Sequence, residues 1–211
     1  MTLTPLALTS ITNFLLASEA FFLAGLFFAI PKMPRSAAWY WQWALLLLST
    51  SALLGGIDHG FFEVFGQIPV RKVIEHTNWI LIGGMTLSVF LAATEQFGRP
   101  AWKRNLTILA GLQFGIYVII SLLIDNFLVV MANYAPVMLW LLIGSFLGLK
   151  SGNGTWALNI GIIASFIASG IQAAGLDLFT PFDRNSLYHF GMMIAVFFLY
   201  QGGKSLKGIS R

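Results

Sequence analysis

The chain has 211 residues, 57% of them apolar and only 9% charged, with a net charge of +4 and a mean hydropathy of +0.80. A soluble domain carries about a quarter charged residues, so this composition excludes a soluble enzyme, a disordered segment and a nucleic-acid binder working through a basic face. Cysteine is absent, which removes disulfides, cysteine-held zinc, iron–sulfur clusters and thiol nucleophiles.

A bilayer core takes about 20 mostly apolar residues per helix. Seven such runs follow one another, at 8–30, 38–64, 72–94, 101–124, 127–149, 155–174 and 184–203. Pro31-Lys-Met-Pro-Arg35, Phe97-Gly-Arg-Pro100 and Lys150-Ser-Gly-Asn-Gly154 punctuate three joints. Asp125-Asn126 marks a tight joint that is also compatible with one bent helix, and Pro181, with Asp177 and the flanking Asp183, marks a short loop at 176–182. Loops this short leave no soluble domain, and strand alternation is absent. The expectation is an all-α, polytopic membrane protein, residues 1–211 forming one seven-transmembrane-helix domain.

Orientation follows from the basic residues. With the N-terminus outside and the C-terminus cytoplasmic, Lys32, Arg35, Arg99, Lys103, Arg104, Lys150, Lys204, Lys207 and Arg211 fall inside, and only Arg71, Lys72 and Arg184 outside. That is the bias of the positive-inside rule. The first span has no basic residue before it and reads as a retained helix.

Ionisable groups within a span are costly and default to functional hypotheses. At about 1.5 Å rise per residue, His59, His76 and His189, the only histidines, lie at one depth, roughly 8 Å below the outer boundary. Asp58, Glu63, Glu75 and Asp183 join them, as do Asn133, Tyr134, Asn13 and Gln172. Glu19 lies deeper, about 16 Å down the first span by the same rise. The pattern describes an outward-facing polar pocket. His59 and Glu63, four residues apart, share a helix face, whereas adjacent Asp58 and His59 diverge by about 100°. His189 joins the other histidines if the seventh span packs beside the second.

Interfacial anchoring accounts for the histidines without any ligand. The alternatives are a zinc site, a haem held by two of them, a proton relay, or contacts to a polar substrate. A catalytic zinc uses three protein ligands and an open position, which His59, His76 and His189 would supply, with Asp58 or Glu63 as base. Glu19 reads as a proton acceptor, a substrate contact, or a protonated carboxyl bonded to a neighbouring helix. Gly55-Gly56, Gly83-Gly84, Gly111/Gly115, Gly144/Gly148 and Gly161/Ser165/Ser169 read as close helix packing. Trp39, Trp41, Trp43, Trp79, Trp102 and Trp156 read as an interfacial belt. Pro136 is expected to free backbone groups in the fifth span, with Asn133 beside it.

Seven spans, the segment Gly55-Gly-Ile-Asp-His59-Gly-Phe61 and the segment Asp183-Arg-Asn-Ser-Leu-Tyr-His189 resemble the CREST superfamily, which includes the alkaline ceramidases and the progestin/adiponectin-type receptors. The two segments are most similar to an uncharacterised bacterial seven-span branch near it, and the bacterial inner membrane is the location this implies. The resemblance implies a zinc-dependent hydrolase of lipid amides or esters, with His59 and His189 on the metal. Met193 stands where a second helix-7 histidine is expected, Gly55 where a serine is, and Val70 where an aspartate is, so His76 becomes the third ligand or zinc is absent. Two other classes stand beside the hydrolase. One is a receptor or carrier holding a lipid or small-molecule ligand in the same pocket. The other is an accessory subunit covered by partner membrane subunits. Membrane lipids are partners in every case, and nucleic acid in none.

Overall fold

Helix starts are written locally. Thr4 Oγ1 accepts the amide of Ala7 with Pro5 in the first turn, Ser36 Oγ caps at Trp39, Thr155 Oγ1 at Leu158 and Asp183 at Ser186. Each side chain satisfies an orphan backbone donor of its helix. In the computed structural model, which describes residues 3–209, these starts open α1 (Pro5–Phe28), α2 (Ala37–Ile57), α6 (Trp156–Ala173) and α7 (Arg184–Gly203). Between them lie α3 (Pro69–Phe97), α4 (Lys103–Leu123) and α5 (Leu128–Gly148). Arg211, counted among the inner charges, lies outside the described residues. The joint at Asp125-Asn126 separates two helices, and no strand forms among the described residues.

Six helical stretches, α1 to α6 with their short extensions, are long and apolar enough to cross a membrane. They make the chain an integral multi-pass membrane protein whose apolar surface meets lipid. The seventh helix spans the residues expected, 184–203. It falls short on hydropathy because its first two turns hold Arg184, Asn185, Ser186, Tyr188 and His189.

The packing order differs from one that sets the seventh helix beside the second. α1 lies between α2 and α7, α7 packs on α1 and α6, and α2 and α7 only graze one another. α3 pairs with α2 and carries α4 and α5, and a lighter α5–α6 contact closes the ring. α4 stands outside it, with Ile108, Leu112, Ile116 and Ile119 exposed to the bilayer. Lipid is as apolar as leucine, so close van der Waals fit holds the helices together. A Cβ on Gly202 would lie 2.7 Å from Leu158, and one on Gly161 2.8 Å from Leu199, so the α6–α7 seam requires glycine on both sides. Gly111 and Gly115 are different: nothing lies within 4 Å of a Cβ at either, and they face lipid on α4 rather than a helix seam.

Two expected belt tryptophans belong to the core. Trp41 is buried and donates from Nε1 to the carbonyl of Leu199 at 3.3 Å. Trp79 is buried between His76 and Tyr117, whose hydroxyl donates to the Trp79 carbonyl at 2.8 Å. Trp43, Trp102 and Trp156 are exposed as expected of a belt. Beside Pro136, Gln113 Nε2 donates to the Asn133 carbonyl at 2.9 Å, a neighbouring helix satisfying backbone next to a proline.

After α7 the chain folds back across the end of the bundle that holds the α1–α2 joint and the end of α3. The Lys207 amide donates to Gln96 Oε1 (2.8 Å), the Met33 amide to the Gly208 carbonyl (2.7 Å) and the Ala38 amide to the Lys207 carbonyl (3.1 Å). Gln96 also donates to the Asn153 carbonyl at 2.7 Å.

Candidate functional site

A cavity of about 140 Å³ lies in the half of the bundle that holds the α2–α3 turn, walled by every helix except α4. At the liquid share of roughly 30 Å³ per molecule, that is room for about five waters. Its polar lining is Asn13 from α1, Ser51 from α2, His59 just beyond it, Asn78 from α3, Tyr134 from α5, Ser169 and Gln172 from α6, and Tyr188 and His189 from α7. Leu16, Leu48, Ile82, Met85 and Met192 supply apolar wall.

Most of these polar groups have a hydrogen-bond partner. Ser51 Oγ donates to Asn78 Oδ1 at 2.5 Å, the Tyr134 hydroxyl meets Ser169 Oγ at 3.3 Å, and Gln172 Nε2 donates to Asn185 Oδ1 at 3.3 Å. His189 is 5% exposed, and its Nδ1 shares a hydrogen bond with Thr12 Oγ1 at 2.9 Å. Asn13 has none. It is 4% exposed, its Oδ1 lies against Gly55, and its Nδ2 is buried with no partner among the described residues. A buried donor left unpaired costs about 1–3 kcal/mol.

The C-terminal end of α2 decides what His59 and Asp58 face. Residues Asp58–Phe62 form a π turn, followed by a 3₁₀ turn at Glu63–Phe65. π turns are rare and recur at functional sites. Here the widened turn overrides the divergence expected of two neighbours on a regular helix: one ligand atom each from Asp58, His59 and Glu63 lies within 4.8 Å of the others. His59 Nδ1 bonds to Glu63 Oε2 while its ring lines the cavity.

Arg71 gathers the carboxylates. Its Nε lies 3.2 Å from Asp58 Oδ1, and its second guanidinium nitrogen lies 3.1 Å from Glu75 Oε1 and 3.5 Å from Glu63 Oε1. The side chain is 10% exposed. By the positive-inside count Arg71 is an outer orientation charge; the structure instead buries it among three carboxylates. A usable signal was there: Arg71 and Glu75 are four residues apart, across a short turn from two acids, and a buried cation needs pairing.

The remaining expected residues are dispersed. His76 stacks on Trp79 with ring centres 5.1 Å apart, its Nδ1 buried without a partner, and it does not line the cavity. Asp183 caps α7 and accepts from Thr9 Oγ1 at 3.0 Å, tying α1 to α7. Asn133 lines a separate groove between α4 and α5. Glu19 is half-buried on α1, outside the cavity, and makes no hydrogen bond or ion pair to a described residue. The three histidines therefore do not come together: two line the cavity and the third stands apart.

The donor set does not fit a catalytic zinc. Two imidazoles line the cavity, and among the described residues neither a third nor a carboxylate does. Two of the three groups that gather at the π turn, Asp58 and Glu63, already face the Arg71 guanidinium, whose positive charge opposes a divalent cation at the same oxygens. A haem exceeds the space, since pockets for even drug-sized ligands run to about 300–1,000 Å³.

The chain belongs to a family of unknown function (DUF6962), whose model matches residues 8–207. Neither the curated proteins nor the solved structures provide a match.

Proposed function

We propose that all seven helices cross the membrane with the N-terminus outside, and that the protein is a receptor or carrier whose cavity binds a small, uncharged amphiphile. The observation that carries this is the unpartnered Nδ2 of Asn13 at the cavity wall. A buried donor calls for an acceptor, and a carbonyl or ether oxygen on a ligand provides one. The ligand is uncharged because neither a carboxylate nor a lysine or arginine lines the wall to pair with it. The excess of basic residues on the α1–α2, α3–α4 and α5–α6 joints supports the orientation.

A second cavity, of about 40 Å³, continues inward. It shares Leu48, Met85, Tyr134 and Met192 with the first and reaches Trp41 and Leu199. Its apolar wall suits an aliphatic tail below a polar head, and methionine side chains adapt to varied shapes. The test is thermal unfolding in detergent with N-alkylacetamides from propyl to octyl. The amides stabilise the wild type, and Asn13→Leu removes the effect while leaving the unliganded protein at least as stable. An equal response from Asn13→Leu would remove Asn13, and this reading with it.

A further inference from the structure

Glu19 poses a separate question. It lies fourteen residues from the start of α1 and nine from its end, near the middle of the bilayer at about 1.5 Å per residue. A carboxyl there is costly and is ordinarily paired or turned to a cavity. This one does neither. It sits at the rim of the outer face of α1, with exposed Leu15 and Phe22 on one side and buried Leu16 and Leu23 on the other. The helices packed on α1 are α2 and α7, and neither gives Glu19 a hydrogen bond or an ion pair. Ser18 and Gly25, two turns apart and both exposed, lie about 100° around the helix from Glu19, towards the lipid side, and nothing lies within 4 Å of a Cβ at Gly25. Small residues on an exposed helix surface leave room for a second helix to approach.

We infer that the outer face of α1 around Glu19 docks a transmembrane helix of another protein that carries a lysine or arginine at mid-bilayer depth. Charge complementarity selects this occupant. A basic side chain in the bilayer interior bears the same penalty as Glu19, and pairing relieves both. A second copy of this chain would bring another Glu19 to the same depth and no cation. The face is distinct from the cavity, which α1 lines through Asn13 and Leu16 on its inner side.

The probe is a synthetic 23-residue leucine-rich helix with one central lysine, with central-leucine and central-glutamate versions beside it. Each is labelled with an acceptor dye and mixed in phosphatidylcholine vesicles with the full chain carrying a donor dye on one introduced cysteine. The lysine helix should associate at least tenfold more tightly than the leucine helix. Glu19→Gln should bring the two within twofold, and since this side chain bonds to no described residue, the variant should fold like the wild type. Gly25→Leu fills open space without touching the bundle, and should weaken lysine-helix binding severalfold. Pairing Glu19→Gln with Ile116→Glu moves the carboxyl to the lipid face of α4, where Ile116 is 57% exposed, and binding should not return. The inference is overturned if lysine and leucine helices bind alike, if the α4 carboxyl restores binding in full, or if donor- and acceptor-labelled copies of the wild type pair through Glu19.

Discussion

Arg71 and Asp58 face each other across the α2–α3 turn at 3.2 Å, with side chains 10% and 8% exposed. The same guanidinium holds Glu75 and Glu63, so three carboxylates share one cation beside the α2–α3 turn. Removing one partner of a buried pair leaves an uncompensated charge and costs about 3–5 kcal/mol. Arg71→Met is therefore expected to destabilise by that order, read as a lowered unfolding midpoint in detergent. Arg71→Lys should fall between, because an ammonium offers one point charge where the guanidinium fork reaches several oxygens. Asp58→Asn should be milder than Arg71→Met, since Arg71 keeps two acids. Equal stability of Arg71→Met and wild type would show the network to be incidental.

Elemental analysis of the purified protein separates the two accounts of His59 and His189. Far less than one zinc per chain is expected, because the cavity offers two imidazoles and the nearby acids are held by Arg71. About one zinc per chain, lost in both His59→Ala and His189→Ala, would overturn this and bring back the CREST-like hydrolase.

The helices were legible because an apolar run of bilayer length has one solution in lipid, and α7 was bounded to the residue by Asp183 and the glycines at its end. Height along a helix axis is legible too, since rise per residue is fixed. Azimuth is not. Asn133 and Tyr134 are neighbours at one depth, yet one lines the α4–α5 groove and the other the cavity. The interposition of α1 between α2 and α7 is a packing result with no local signature. The π turn likewise follows from tertiary ties, with Asp58 drawn to Arg71 and Ser10 Oγ donating to the Gly56 carbonyl at 2.9 Å. Trp41 lies near a span end, where belt tryptophans lie, and only the glycines opposite it mark it as core.

Those glycines make a sharp prediction. A Cβ on Gly203 would fall 2.5 Å from Trp41 Nε1. Gly203→Val forces the indole aside and breaks its bond to Leu199, and overpacking of this kind costs about 1–3 kcal/mol. A lowered unfolding midpoint, partly restored by combining it with Trp41→Leu, is the expected result. An additive double variant would place the strain elsewhere.

Gln96 is 2% exposed and ties the Asn153 carbonyl to the Lys207 amide. Gln96→Ala leaves both without their partner, at a cost of about 1–3 kcal/mol. Amide hydrogen exchange across residues 204–209 should quicken while the outer half of the bundle stays protected. Unchanged exchange there would mean that the bonds of Met33 and Ala38 suffice to hold the segment.

The position of that segment also bears on assembly. Residues 204–209 leave the ribosome after every helix, yet they bridge the α1–α2 joint, the start of α2 and the end of α3. The helices can enter the bilayer one after another, but the cytoplasmic edge of the bundle under the proposed topology stays unlatched until these residues arrive. A translocation machine or chaperone working from that side would meet an open helical ring. The finished protein would present it with a closed one.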